Sequence, residues 1–421
     1  MLMTAREKLL RMMDAALTAA DPTQCMADHL PEKPKGRTIV IGAGKASAKM
    51  AQAFERYWKG EVGGLVITRY GHAVPCQYVE IVEAGHPVPN EAGRVAAKRV
   101  LELVSSATKD DLIVCMISGG GSSLLAMPAE GIKFSEKQQI GNALLRSGAT
   151  ISEMNCVRKH LSGVKGGRLA AAAGKARMIT YLVSDVPGDD PSIIASGPTV
   201  PDDTTGSDAL RIIDAYGINL SDEVRGLLSS EQNPTVSSKD PCFTNSELVM
   251  LTTPQASLLA AASVARELGV APIILGDAIE GEAREIAIMH AGIAQQVLRH
   301  DQPVPKPCVL LSGGETSVTV SGEGGRGGRN SEFLLSLMMQ FRGQAGLSAL
   351  AIDTDGIDGS EDNAGALIDE SSWRKAVECN VDLHWYLQNH DSYSAFDQIS
   401  ALITTGPTLT NVNDFRCILI E

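Results

Sequence analysis

Leu112-Ile113-Val114-Cys115-Met116-Ile117 runs directly into Ser118-Gly119-Gly120-Gly121-Ser122-Ser123, and the same grammar returns where Val309-Leu310-Leu311 runs into Ser312-Gly313-Gly314-Glu315-Thr316. A short uninterrupted apolar run reads as a strand buried on both faces, the kind that parallel sheets use. Glycine at its end lets backbone amides turn toward a ligand, and the hydroxyls add donors, so each loop suits an anion, most naturally a phosphate. A plain tight turn is the alternative for either loop alone.

Outward from these loops, residues 38–41 read as a strand, Gly42-Ala43-Gly44 as a turn and residues 45–58 as a helix with Met50, Phe54 and Tyr57 on one face. Further strand patterns at 65–68, 79–82 and 178–183 alternate with helical patterns such as 92–105. Strand–helix alternation predicts a doubly wound, Rossmann-like three-layer α/β domain whose ligand crevice lies beyond the carboxyl ends of the strands. Turn-forming pairs then cluster at Asn233-Pro234, Ser237-Ser238, Asp240-Pro241 and Asn245-Ser246. They place a domain boundary there, with residues 1–235 in the first domain and 240–421 in a second. Strand patterns at 248–251, 272–275 and 309–311, with helices between them, make the second domain α/β as well. The last apolar run, 415–420, has the option of returning to the first sheet.

At 421 residues the chain exceeds one ordinary core, which agrees with two domains. Apolar residues make up 44% of it, yet none of the runs approaches the ~20 residues of a membrane span, so a soluble protein is expected. Residues 1–20 read as an amphipathic helix and lack the unbroken apolar stretch of a secretory signal. A net charge of −13 argues against nucleic acid or an anionic membrane as partner, so any anionic substrate needs local cations. Eight cysteines without paired spacing suit reduced thiols and a cytoplasmic location. Oligomeric state stays open, a homodimer among the options.

Gly42-Ala43-Gly44-Lys45-Ala46-Ser47 resembles a dinucleotide fingerprint, but Ser47 replaces its third glycine, and no phosphate-binding Walker sequence is present. Lysine at a helix start is electrostatically unfavourable unless an anion binds, which makes Lys45 an anion-binding candidate. The loop from Gly322 through Glu323 to Asn330 carries Arg326 and Arg329, two guanidiniums able to clamp phosphate or carboxylate. Two acidic loops, Ser184-Asp185-Val186-Pro187-Gly188-Asp189-Asp190 and Asp353-Thr354-Asp355-Gly356-Ile357-Asp358-Gly359, offer the hard oxygens that magnesium takes, although Asp and Gly also build ordinary turns. Among the histidines, His86 in Gly85-His86-Pro87-Val88-Pro89 is the first candidate, with His160 and His390 behind it.

Taken together, these segments resemble the class II glycerate 2-kinases, whose members often carry an older label of hydroxypyruvate reductase and end in a MOFRL-type domain. The resemblance rests on Ile41 to Ala46, Gly85 to Pro89, Ser118 to Leu125, ISEMNCVRKHLSGVKGGRLA at 151–170, SDVPGDDPSIIASGP at 184–198, Gly327 to Asn330, TDGIDG at 354–359 and TGPTLTNVND at 405–414. Ser123 and Ser331 depart from the expected alanine and glutamine. The family implies two α/β domains with the active site in the cleft between them, and ATP and Mg²⁺ used to phosphorylate the 2-hydroxyl of D-glycerate. On the resemblance and the loops together, Lys45 and Arg329 are the catalytic candidates, with Asp189 as the proton-accepting carboxylate. Gly44, Ser118, Gly119, Gly120, Gly121, Ser122, Ser184, Gly313, Gly314, Glu315, Arg326, Asn330 and Asn413 are candidates for substrate or nucleotide binding. Asp185, Asp355 and Asp358 are the metal candidates. An NAD(P)H-dependent hydroxypyruvate reductase is the alternative; it needs an acid at the end of the second strand, where Thr68-Arg69 stands. A non-catalytic sugar-acid binder would leave the acidic loops without a purpose.

Overall fold

The structure, a computed structural model, describes residues 3–230, 234–320, 322 and 324–421; Asn233 of the expected linker and Glu323 of the arginine loop lie outside them. The chain forms two compact units: Pro22–Ser184 with Asp189–Leu251, and Met1–Asp21 with Asp185–Gly188 and Thr252–Glu421. This division differs from a single boundary near 235–240. The N-terminal helix belongs to the second unit, and the strand pattern at 248–251 belongs to the first.

In the first unit, strands β1 (Thr38–Ala43), β2 (Val62–Arg69), β3 (Val79–Ala84), β4 (Leu112–Ile117), β5 (Arg177–Val183) and β6 (Ser246–Thr252) line up in the order β3-β2-β1-β4-β5-β6. The pairings from β3 through β5 are parallel. That order is the doubly wound one, and it sets the carboxyl ends of β1 and β4 side by side, in register from Thr38 opposite Leu112 to Ala43 opposite Ile117. All six residues of β1 and of β4 are buried, because helices cover both faces of a parallel sheet.

The second unit contains β7 (Ala271–Gly276), β8 (Gly281–Glu282), β9 (Cys308–Ser312), β10 (Thr316–Ser317), β11 (Leu347–Asp353), β12 (Gly365–Ile368), β13 (Leu402–Ile403) and β14 (Asp414–Ile420). Its main sheet runs β13-β12-β11-β14-β9-β7, and β8 and β10 form a small parallel pair. Only β7 and β9 pair parallel in the main sheet; the other neighbours are antiparallel. The final strand therefore does not return to the first sheet: β14 lies between β11 and β9. Side chains alternate across this sheet as a strand's two-residue period requires. Cys308, Leu310, Ile418 and Ile420 pack under helices Ala283–His300 and Arg329–Phe341, whereas Val309, Leu311, Cys417 and Leu419 pack with Leu9, Met12 and Ala16 of helix Ala5–Ala20. That N-terminal helix starts with a capping box, Thr4 and Glu7, and buries its apolar stripe as its periodicity predicts.

Candidate active site

The loop after β1 shows how the first unit spends its polar groups. The amides of Gly44, Lys45 and Ser47 donate to the carbonyls of Ile67 (3.1 Å), Gly119 (2.8 Å) and Gly44 (3.3 Å), and Ala46 donates to Ser118 Oγ (3.0 Å). Ser118 Oγ also lies 3.1 Å from Ser47 Oγ and is fully buried. Gly44 is a glycine for packing as well as for its φ of 149°, since a side chain there would run into Ser118 Oγ at 2.0 Å. Gly44 and Ser118 thus lock two loops together, and the four amides at this helix start are taken by protein acceptors. A dinucleotide pyrophosphate bound in the Rossmann manner would need them.

The loop after β4 is different. The amides of Gly119 and Gly120 have no acceptor among the described residues, whereas Gly121 donates to the Ser118 carbonyl at 3.2 Å. Gly120 has a φ of 79°, and a side chain there would strike the His86 ring at 2.8 Å and meet Lys45 at 3.5 Å. Lys45, His86 and Gly120 therefore come together, three residues drawn from three separate sequence motifs. Ser122 Oγ lies 2.6 Å from Ser196 Oγ, which in turn donates to Asn155 Oδ1 at 2.8 Å. Beside this loop is a cavity of about 220 Å³ lined by His86, Gly120, Ser122, Lys137, Arg158 and Lys165, among others. Lys165 is buried and donates to the Ser122 carbonyl at 2.8 Å; Lys137 donates to the Met127 carbonyl at 2.8 Å. None of the three cations has a carboxylate partner among the described residues. Burial, then the charges of Arg168 and Arg158, bring the Lys137 ammonium down to about 7. Burial with the charges of Lys137 and Arg158 lowers Lys165 strongly as well. Ser184 is buried just past the end of β5, and Asp189 is held half-buried at a φ of 55°.

In the second unit, the arginine loop leads into helix Arg329–Phe341. Asp358 stands at its start: Oδ1 accepts from Asn330 N (2.9 Å), and Oδ2 accepts from Ser331 N (2.8 Å) and Ser331 Oγ (2.6 Å). Both oxygens of this expected metal ligand are thus engaged in capping the helix, satisfying amides that the helix itself leaves open. Burial raises the Asp358 carboxyl, against the pull of its three donors. Arg329 meets three carboxylates: Nε to Asp414 Oδ1 (2.6 Å), Nη1 to Glu315 Oε1 (2.9 Å) and Nη2 to Asp353 Oδ2 (2.9 Å). Burial alone would lower this guanidinium, but the three carboxylates outweigh it and hold it well above its ordinary value. Asn330 Nδ2 joins the same centre by donating to Asp414 Oδ1 at 2.7 Å.

Asp414 also pairs with the fully buried Arg416, whose Nη1 donates to the Gly313 carbonyl at 3.0 Å. Gly313 N donates to Gly276 O, and a side chain on Gly314 would collide with Ile279 N at 2.2 Å, so this second glycine loop is tightly built into its surroundings. Arg326 turns elsewhere, pairing with Glu361 at 2.7 Å and stacking 4.3 Å over the Tyr393 ring. Asn413 Nδ2 donates to the Asp185 carbonyl, Asn411 Nδ2 reaches Asp185 Oδ2 at 2.9 Å, and Thr354 N donates to the Asn413 carbonyl at 3.0 Å. The 411–413 segment thereby gathers Asp185 and the 353–358 loop, where Asp355 Oδ1 accepts from Ile357 N at 2.9 Å. A cavity of about 600 Å³ is lined by Arg329, Asp353, Glu315, Glu280, Glu332 and His390, among others. Among the described residues no group of three His, Cys, Asp or Glu side chains is placed to hold a metal.

Sequence reading passed over Lys137, Arg158, Lys165, Asp414 and Arg416. Arg416 carried a signal, a charge in the middle of an apolar run, which burial requires to be paired. His160 sits apart from the Lys45 group, 3.2 Å from Thr204 Oγ1, and His390 pairs with Glu332 at 2.9 Å.

Fold and loops together define a two-unit α/β protein with a cationic cavity in one unit, lined by no acid among the described residues, and an arginine–carboxylate centre in the other. Residues 8–229 match the family described as a domain of unknown function, DUF4147, and residues 308–414 match the MOFRL family. A D-glycerate 2-kinase of Thermotoga maritima is 40% identical over 96% of this chain and 96% of its own. A crystal structure of glycerate kinase from the same organism covers 98% of this chain and 99% of its own, with a TM-score of 0.89 at 39% identity. A protein of Agrobacterium vitis provisionally named a hydroxypyruvate reductase is 50% identical over 99% of this chain and 95% of its own. The chain belongs to the glycerate 2-kinase family.

Proposed function

We propose that this protein is a glycerate 2-kinase that transfers the γ-phosphoryl group of ATP to the 2-hydroxyl of D-glycerate. The observation that carries the reading is the placement of Lys45 beside the Gly119-Gly120 loop, whose two amides are open, in a chain that is related to glycerate 2-kinases along nearly its whole length. Phosphoryl transfer asks a protein chiefly for positioning and charge compensation, which a lysine and preorganised amides supply. The 2-hydroxyl oxygen attacks the γ-phosphorus, the bond to the ADP oxygen breaks, and the hydroxyl proton passes to a carboxylate, for which Asp189 is our choice. Arg329 orders the second unit's carboxylates, with Glu315 as its most exposed partner and the one free to yield to a substrate anion.

Magnesium fits the donor chemistry of this chain, because Mg²⁺ takes one or two carboxylates and completes its shell with phosphate oxygens and water. Asp185 and Asp355 are the residues we assign to it; Asp358, with both oxygens capping a helix, is not. When bound, the ion would neutralise charge on the transferred phosphoryl group. Free cysteines, both buried and exposed, fit a cytoplasmic setting.

The reductase reading is disfavoured by the β1 loop, whose amides are taken, and by Arg69 at the end of β2 in place of an acid. The test is a phosphate-transfer assay across several 2-hydroxy acids with ATP and a divalent cation. D-Glycerate should be the best acceptor; absence of transfer to every acid would reject the proposal.

A further inference from the structure

The cationic cavity of the first unit is not explained by the residues assigned above. Lys137, Arg158 and Lys165 line it together, and none has a carboxylate partner among the described residues. Lys165 is buried and Lys137 and Arg158 are half-buried; cationic groups so placed without a counter-charge are costly, and three around one cavity ask for an anion of several charges. Glycerate, with a single carboxylate, supplies one. The same cavity has apolar lining: Phe134, Leu144, Leu145 and Leu161 border it, and Leu145 is left 59% exposed. A polyanion carrying a flat apolar group matches both kinds of lining.

We infer that this cavity is the nucleotide site, with the polyphosphate held by Lys137, Arg158 and Lys165 and the base lying against Phe134 and Leu145. The inference rests on the kinase reading and adds to it which unit holds the nucleotide. The open amides of Gly119 and Gly120 continue the donor set toward Lys45, so the phosphate chain would end where Lys45 and His86 gather. Ligand-free, Lys137 is largely neutral above its pKa of about 7. A bound polyphosphate favours the charged form, so binding at alkaline pH takes up a proton.

The experiment is titration calorimetry of the whole protein with ADP and, separately, with 2-phosphoglycerate, in two buffers of different ionisation enthalpy at about pH 8. The variants are Lys137→Met and Arg158→Met. Wild type should bind ADP with net proton uptake, to which Lys137 and the likewise lowered Lys165 both contribute. Lys137→Met should reduce that uptake and weaken ADP by about tenfold to a hundredfold, while 2-phosphoglycerate binding stays within about threefold. At about pH 6, where Lys137 carries its charge, the ligand-free melting temperature of the variant should exceed that of wild type, because an unpaired charge is gone; a merely structural lysine would lower it. Arg158→Met, whose charge is less buried, provides the same affinity readout should the lysine variant fold poorly. Unchanged ADP affinity in both variants would overturn the assignment, as would loss of 2-phosphoglycerate binding instead. Wild type that binds no adenine nucleotide would sink the kinase reading itself.

Discussion

Replacing Asp358 separates a helix cap from a metal ligand. In Asp358→Ala, the amides of Asn330 and Ser331, both in fully buried residues, lose their acceptor, and the Ser331 hydroxyl is left with the Gly328 carbonyl at 3.1 Å. Loss of an N-cap costs about 1 kcal/mol, and stranding buried donors adds roughly 1–3 kcal/mol, for a total near 3 kcal/mol. For a unit of this size that is about 6–12 °C in melting temperature. Asp358→Asn keeps one acceptor oxygen and sheds the burial cost that raises the native carboxyl, so its loss should be about 1 kcal/mol. Differential scanning fluorimetry with and without Mg²⁺ reads both variants, and a magnesium titration of activity in Asp358→Asn completes the test. We expect a graded stability loss that does not depend on Mg²⁺ and an unchanged magnesium requirement. A normal melting temperature in Asp358→Ala, or a roughly tenfold higher magnesium requirement in Asp358→Asn, would refute the cap.

Lys45→Ala should lower turnover about a hundredfold at saturating substrate with an unchanged circular dichroism spectrum, as loss of one preorganised charge often does; a wild-type rate would remove Lys45 from the mechanism. Arg329→Lys keeps one charge but cannot meet Asp414, Asp353 and Glu315 at once, so stability and turnover should both fall, whereas Arg326→Ala should change little because its partners are Glu361 and Tyr393. Equal effects at the two arginines, compared by thermal melts and rates, would contradict that ranking. His290, buried between the Ile286 carbonyl and Ser312 Oγ, is lowered by burial from 6.5 to about 4. Its contribution is present above pH 6.5 and is lost as the pH falls toward 4, up to about 3 kcal/mol, so urea unfolding should weaken across that window and His290→Gln should flatten the slope.

Several strands were legible because the centres of both sheets are built from fully buried runs such as 112–117, where composition alone leaves few choices; 347–353 and 365–368, equally buried, were not singled out. The polar loops were legible as positions and less so as roles. Gly44 and Ser118 read as ligand donors, but a side-chain hydroxyl from the neighbouring strand's loop takes the Ala46 amide, a contact 72 residues away in sequence. Asp358 read as a metal ligand because a carboxylate in a glycine-rich loop looks the same whether it faces an ion or a helix 27 residues upstream. The small-residue breaks at 233–246 looked like a domain boundary, yet β6 follows them and completes the first sheet. Sheet partnership depends on register and edge availability, which local sequence does not encode. Lys137 and Lys165 lie on different elements, and only the fold brings their charges to one cavity.

Phosphorus NMR on purified protein incubated with D-glycerate, ATP and Mg²⁺ decides whether the 2-hydroxyl is phosphorylated. A new resonance coupled to the proton on carbon 2 is expected, with ADP formed in equal amount and no product when glycerate or the divalent cation is omitted. Oxidation of NADH by hydroxypyruvate, with no ATP consumed under any of these conditions, would contradict the kinase reading.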